Sequence, residues 1–235
     1  YEVLAAIVRE DLLGDPVYFT FHNAAGDLAP DHWFWDPARS GGILVEHGVH
    51  FFDLFAAIFG PGRVQTALVG RRVNRAEDRW QCLLLYHKQL FGDFLHAFAK
   101  APPVEHTRAA VEFALGTVTL DGWIPTRLSL DGLATDTSRD RLAAVLPGAV
   151  VTPLEAPCPV PAVGREHTVT AHVSGGVDLG DKQAIYADAC RDALADFLAW
   201  VRDRAHRPRV TAVDGRAALA TALEATALAR RTAAG

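Results

Sequence analysis

Residues 41–60 read GGILVEHGVHFFDLFAAIFG. The stretch is mostly apolar, yet it contains Glu46, His50 and Asp53. The spacing predicts a helix of about five turns. Ser40 is placed to cap its start, and Gly60-Pro61 is placed to stop it. On a wheel of about 100° per residue, Leu44, Phe51, Phe55 and Ile58 gather on one broad face. That face is expected to pack on a sheet, with Gly48 on the same side allowing close contact with a strand. Opposite lies a narrow polar wedge. His50 falls roughly 40° from Glu46, and Asp53 falls roughly 20° to the other side, with Gly42 close by. His47 falls about 100° round from Glu46, outside the wedge.

A carboxylate one turn from an imidazole can hold the ring's tautomer and raise its basicity. A histidine that titrates near neutrality then serves as proton acceptor or donor, and a neighbouring glycine leaves room for a ligand. The stripe is expected to look into a ligand pocket. The bland alternative is a solvated helix face with an i,i+4 Glu–His pair. A metal site is not expected. Glu46, His47 and His50 are close in sequence, but H-E-x-x-H needs histidines four apart, and the reversed pattern needs histidine where Ile43 stands. His87 and His96 lie in adjacent expected strands and are read as satisfying local hydrogen bonds.

Outward from this helix the periodicity changes. Leu4, Ile7, Val8 and Leu12 make an opening helix that ends at Gly14-Asp15-Pro16. PVYFTFHN then alternates like a strand. The loop AAGDLAPDHWFWDPARS follows, with Trp33, Phe34 and Trp35 as a functional cluster or a plug over the core. After residue 60, RVQTALVGRRV, RWQCLLLYH, LFGDFLHAFAK, AAVEFALGTVTLDG and WIPTRLSLDG all read as strands. No helix between them is long enough for a crossover, so they are expected to be mainly antiparallel. TVTAHVS is a further strand, and LEAPCPVPAVGRE is too proline-rich for anything but a loop or an edge. The last third is helical. Ile185, Ala189, Leu194, Phe197, Leu198 and Val201 stripe one helix, and Asp214 is placed to cap a final one whose C-terminus suits Arg230 and Arg231. The fold class is α+β: one large, mainly antiparallel open sheet with helices on one face. The whole of 1–235 reads as a single domain.

A net charge of -5 excludes the basic stripe of a nucleic-acid binder. No apolar run comes near the ~18 residues of a membrane span, so neither nucleic acid nor membrane is an expected partner. Cys82, Cys158 and Cys190 are odd in number and widely spaced, which suits reduced thiols in a cytoplasmic protein. The chain starts at Tyr1, has no methionine, and opens on a helix without a cap. It therefore reads as a piece cut inside or just before a helix. No G-x-G-x-x-G follows a strand, so a dinucleotide-binding domain is not expected within it.

SGGILVEHGVHFFDLFAAIFG resembles the signature in the second domain of the Gfo/Idh/MocA oxidoreductases. Gly41, Gly42, Leu44, Gly48, His50, Asp53 and Gly60 match that signature in register. LAAIVREDLLGDPVYFTFHN is similar to the helix and strand that open the domain. The chain from ADFLAWV to its end is similar to the domain's close. The resemblance implies a C-terminal domain for substrate binding and oligomerisation. An N-terminal domain would bind most of the NAD or NADP, with Gly41 and Gly42 at the cofactor's edge. It also implies a sugar or polyol substrate, a homo-oligomer formed through the sheet face, and His50 at the catalytic histidine position. Glu46 stands at the aspartate position, one methylene longer, and one signature glycine is missing. Asp53, His47, Trp33, Trp35 and Arg39 are the candidate substrate contacts. Besides the dehydrogenase reading, a binding or assembly module without turnover fits a chain that lacks the cofactor fingerprint.

Overall fold

The computed structural model describes residues 1–73 and 76–233. Helix α1 (Glu2–Arg9) buries Leu4, Ala6 and Ile7, and leads into strand β1 (Pro16–Gly26). A loop containing a 3-10 turn, Trp33–Trp35, and a short helix α2 (Pro37–Ser40) bring the chain to a π turn, Leu44–Gly48, that runs straight into α3 (Val49–Phe59). Then come β2 (Arg63–Arg71), β3 (Glu77–Leu85), β4 (Phe91–Lys100), β5 (His106–Phe113), β6 (Gly116–Asp121) and β7 (Arg127–Ala134). Helix α4 (Arg139–Val145), which the sequence pattern did not suggest, separates these from β8 (Val150–Ala162) and β9 (Arg165–Asp178). Helices α5 (Lys182–Arg202) and α6 (Ala212–Thr232) complete the fold.

The nine strands form one open sheet in the order β2-β3-β4-β1-β5-β6-β7-β9-β8. All neighbours are antiparallel except β1 and β4, which run parallel at its centre. The proline-rich segment is the edge strand β8. Its pairing with β9 slips between Pro153 and Cys158, as expected where prolines cannot donate to a ladder.

The core beneath α3 is largely phenyl. Phe51 stacks on Phe21 of β1 at 3.9 Å, Phe55 stacks on Phe19 at 4.5 Å, and Phe52 meets Phe94 of β4 edge-on at 5.0 Å. The expected apolar face is therefore present, and it is broader than the wheel allowed, because Phe52 and Phe59 are also buried. The run Pro37–Phe59 is long and apolar enough to cross a membrane by length and composition, with a mean hydropathy of 1.4. This corrects the reading that no run came near that length. In the fold, its apolar face is the one packed on the sheet.

Helix α6 lies along β2 and α3. It approaches closely because its inner face is small: Ala218, Ala222, Ala225, Thr226 and Ala229. Its cap is Thr211, whose hydroxyl and the Asp214 carboxylate form a reciprocal capping box; Asp214 is the third residue of the helix and not the cap itself. Arg230 does not serve the helix end alone. It bonds Glu77 of β3 at 2.8 Å and sits over Trp80, which ties α6 to the sheet.

Candidate functional site

The entry into the signature helix differs from the sequence expectation. The cap is Asp36, whose carboxylate accepts from Ala38 N at 2.9 Å and starts α2. Ser40 is the last residue of α2, and its hydroxyl accepts from Gly42 N at 2.9 Å. Gly41 and Gly42 then adopt φ of +78° and +96°. An L side chain at Gly41 would also press into Val45, 2.6 Å from the ideal Cβ position. The glycine pair is thus needed first to break one helix and begin another. At Gly42 the nearest outside atom to such a Cβ is an Arg230 nitrogen at 3.7 Å, an ordinary van der Waals contact, so the left-handed φ is what requires glycine there.

The segment restarts as a π turn, in which Val49 N–H donates to Leu44 O five residues back. A π turn advances less per residue than an α-helix, so a uniform wheel misplaces whatever lies across it. Glu46 is half-buried and His50 is exposed. Among the described residues no hydrogen bond joins the two. Asp53 is half-buried between His50 and the start of α6. Burial raises its carboxyl pKa, Asp214 raises it further, and His50 pulls it down. Gly48 is buried, but the atoms nearest a Cβ there are Leu44 and Phe52 of the same helical segment, not a strand.

His47 lies outside the polar wedge, where the wheel placed it. It sits one turn before Phe51, on the packed face, with its ring 5.2 Å from both Phe51 and Phe98. Its Nδ1 lies 3.2 Å from Nδ1 of His96 on β4. Burial, and then His50, push the His47 pKa down to about 4. Burial, and then His47, hold His96 well below its usual value. His96 is fully buried and its partner is 49 residues away, so the reading of a local bond is corrected. His87 lies outside the strands, in the 3-10 turn His87–Gln89 between β3 and β4. Two signals pointed inward. His47 precedes Phe51 by four residues, and His96 alternates with Phe94 and Phe98 along β4.

The aromatic loop is mainly a plug. Phe34 is buried against Phe98 at 4.7 Å, and Phe98 touches His47, so the loop is joined to the stripe through one ring. Trp35 donates from Nε1 to Ala29 O at 2.9 Å and lies 4.5 Å under the Arg72 guanidinium. Trp33 and Arg39 are exposed. The structure therefore groups Glu46, His47, His50 and Asp53, with Gly42 beside them, while Trp35 is engaged elsewhere. One groove is lined by Asp27, Arg72 and Asp78, and a larger one of 1410 Å³ runs along α5. Neither is lined by Glu46, His50 or Asp53. Among the described residues no three His, Cys, Asp or Glu side chains are grouped to hold a metal ion.

Comparison with known proteins agrees with the fold. The GFO/IDH/MocA C-terminal domain profile matches residues 1–119, and the chain belongs to that family. No curated protein matches it in sequence. Solved structures of similar fold include an oxidoreductase domain protein from Kribbella flavida, with TM-score 0.64 and 14% identity, covering 98% of this chain and 60% of that one. An oxidoreductase from Agrobacterium radiobacter in complex with NAD+, L-tartaric acid and magnesium has TM-score 0.63 and 15% identity, covering 97% and 59%. An aldose-aldose oxidoreductase from Caulobacter crescentus complexed with glycerol has TM-score 0.63 and 15% identity, covering 98% and 58%. The chain thus spans about three fifths of the length of these relatives.

Proposed function

We propose that this chain is the substrate-side domain of an NAD(P)-dependent oxidoreductase that acts on a sugar or polyol hydroxyl. The observation that carries the reading is the exposed His50, with Glu46 and Asp53 on the same helical segment, in a chain that the GFO/IDH/MocA C-terminal domain profile matches over residues 1–119. His50 takes the hydroxyl proton as the substrate carbon is oxidised, and returns it in the reverse direction. Glu46, on the same helical segment, is the carboxylate proposed to orient the ring. The bound nicotinamide would supply the hydride acceptor.

The residues present fit the margin of such a cofactor site. The side-chain-free backbone at Gly41 and Gly42 immediately precedes the stripe, but no glycine-rich loop for the phosphates occurs in these 235 residues. A separate dinucleotide-binding domain is proposed to supply that loop and the wall opposite His50. The helix-free face of the sheet is proposed to pair protomers, and the setting to be cytoplasmic. Trp33 and Arg39, both exposed, are the remaining candidates to meet the substrate.

In the oxidoreductase that carries this chain, His50→Ala is expected to lower kcat by about 10²–10⁴-fold with cofactor affinity unchanged. An unaltered rate removes His50 from the mechanism. A second reading, a ligand-binding or assembly module without turnover, is favoured by one observation: of the two grooves described above, neither is lined by Glu46, His50 or Asp53. Hydride transfer to NAD(P) from any polyol by the complete protein would rule it out.

A further inference from the structure

Four polar side chains line up in the core below the stripe. Thr107 Oγ1, on β5, donates to Asn23 Oδ1, on β1, at 2.8 Å. Asn23 stands opposite His96 in the parallel β1–β4 register. His96 Nδ1 then meets His47 Nδ1 at 3.2 Å. Asn23 is 2% exposed and His96 0%, and each keeps one buried polar atom without a partner among the described residues: Asn23 Nδ2 and His96 Nε2.

The proton positions follow from what these atoms can do. The Asn23 amide nitrogen can only donate, whereas His96 Nε2 either donates or accepts. If His96 carried its proton on Nε2, two buried donors would stand on facing strand positions, both unpaired. Unpaired buried N–H groups are the rarer and costlier kind. A proton on Nδ1 instead leaves only a lone pair unpaired at Nε2, sparing one buried N–H, and gives His96 a donor for His47. The neutral His47 ring then accepts at Nδ1 and carries its own proton on Nε2.

We infer that His96 donates from Nδ1 to His47, within a chain of polar residues with Thr107 and Asn23 whose Asn23–His96 step is not itself a hydrogen bond, and so fixes His47 as a neutral Nε2–H donor beside His50. The surroundings keep both rings neutral. Around His47 stand Phe51, Phe98, His50 and His96; around His96 stand Phe21, Phe51, Phe52, Phe94 and His47. The lowered pKa of both rings agrees with this setting. Under the oxidoreductase reading, on which this role rests, the two histidines divide the work. His50 exchanges the hydroxyl proton. His47 keeps its proton and donates a hydrogen bond to the substrate oxygen as that oxygen becomes a carbonyl. Asn23, His96 and Thr107 act through His47 and are positioning residues.

Long-range proton–nitrogen spectra of the 15N-histidine-labelled chain test the inference directly. At pH 7 His96 is expected to be protonated at Nδ1 and His47 at Nε2, with neither ring charged at pH 5.5. A proton on His47 Nδ1, or a charge on either ring at pH 5.5, overturns it. Asn23→Leu is expected to turn the single His96 tautomer into a mixture; an unchanged tautomer removes Asn23 from the chain. These signals are read from the isolated domain. Absence of NAD(P)-dependent turnover in the complete protein would sink the proposed reaction and leave them in place, while reversed tautomers would sink the chain whatever the turnover.

Discussion

Helices α3 and α5 carry similar apolar stripes, and only one of them is covered. Phe51, Phe52, Phe55 and Phe59 of α3 are buried against the sheet. Helix α5 has no buried residue, although Asp181 caps it well, accepting from Gln183 N at 3.0 Å and Ala184 N at 2.9 Å. Tyr186, Leu194, Phe197, Leu198 and Val201 stay exposed, and the groove along the helix is lined by Trp123, Trp200 and Tyr1. The two patterns look alike on a helical wheel. Periodicity shows that a helix has an apolar face; whether the fold covers that face is a separate matter.

The contrast can be broken most sharply at α3. Phe55→Ala removes a ring that stacks on Phe19 and Phe59, and it is expected to cost about 3–5 kcal/mol in urea unfolding. A loss under about 1 kcal/mol would mean the stacked core is not what holds the helix.

Acid tests the polar part of the same underside. The His47 pKa is depressed to about 4 in the folded chain against the ordinary histidine value of 6.5, so between these values the unfolded chain binds more protons. Stability is therefore fully present above pH 6.5 and drains away as pH falls toward 4, by an amount on the order of 3 kcal/mol. His96 adds to the same slope. Denaturation midpoints measured from pH 8 to 4 check the sign, and His47→Gln is expected to flatten the curve.

At the helix entry, Gly41→Ala forces a side chain into φ +78° and against Val45. The expected cost is about 1–2 kcal/mol, smaller than for Phe55. The smallest effect is expected on α5, where Phe197→Ser changes the stability of the isolated chain by no more than about 0.5 kcal/mol. A larger loss there would show that α5 is buried in solution after all, and would end the contrast.

Much of the architecture was legible because strands and helices differ in period. Alternation marked β1 to β4, β7 and β9, the segment 109–122 read as one strand is split into β5 and β6, and the prolines of β8 pushed it to the edge, as rules of backbone donation require. The parallel β1–β4 pair was not legible, since no local pattern states which distant strand lies alongside. Helix α4 was too short to announce itself, and the end of α5 at Arg202 came five residues before the Arg207-Pro208 break.

At the site, Glu46, His50 and Asp53 were visible as polar interruptions of an apolar run. His47 was legible as lying outside that wedge, but its contact with β4 was not, because Phe98 and His96 lie far along the chain. His96 looked like an isolated strand histidine because its partner is 49 residues distant.

The sequence by itself determined the elements, the greasy and polar sides of the signature helix, and the family signature with its exposed histidine. These follow from side-chain type and spacing, which are local quantities. Tertiary structure alone decided which apolar stripe is covered, which histidine turns inward and which strands run parallel. Each of those depends on packing between residues far apart in the chain, where a buried polar atom must find its partner across the sheet and cannot find it along its own segment.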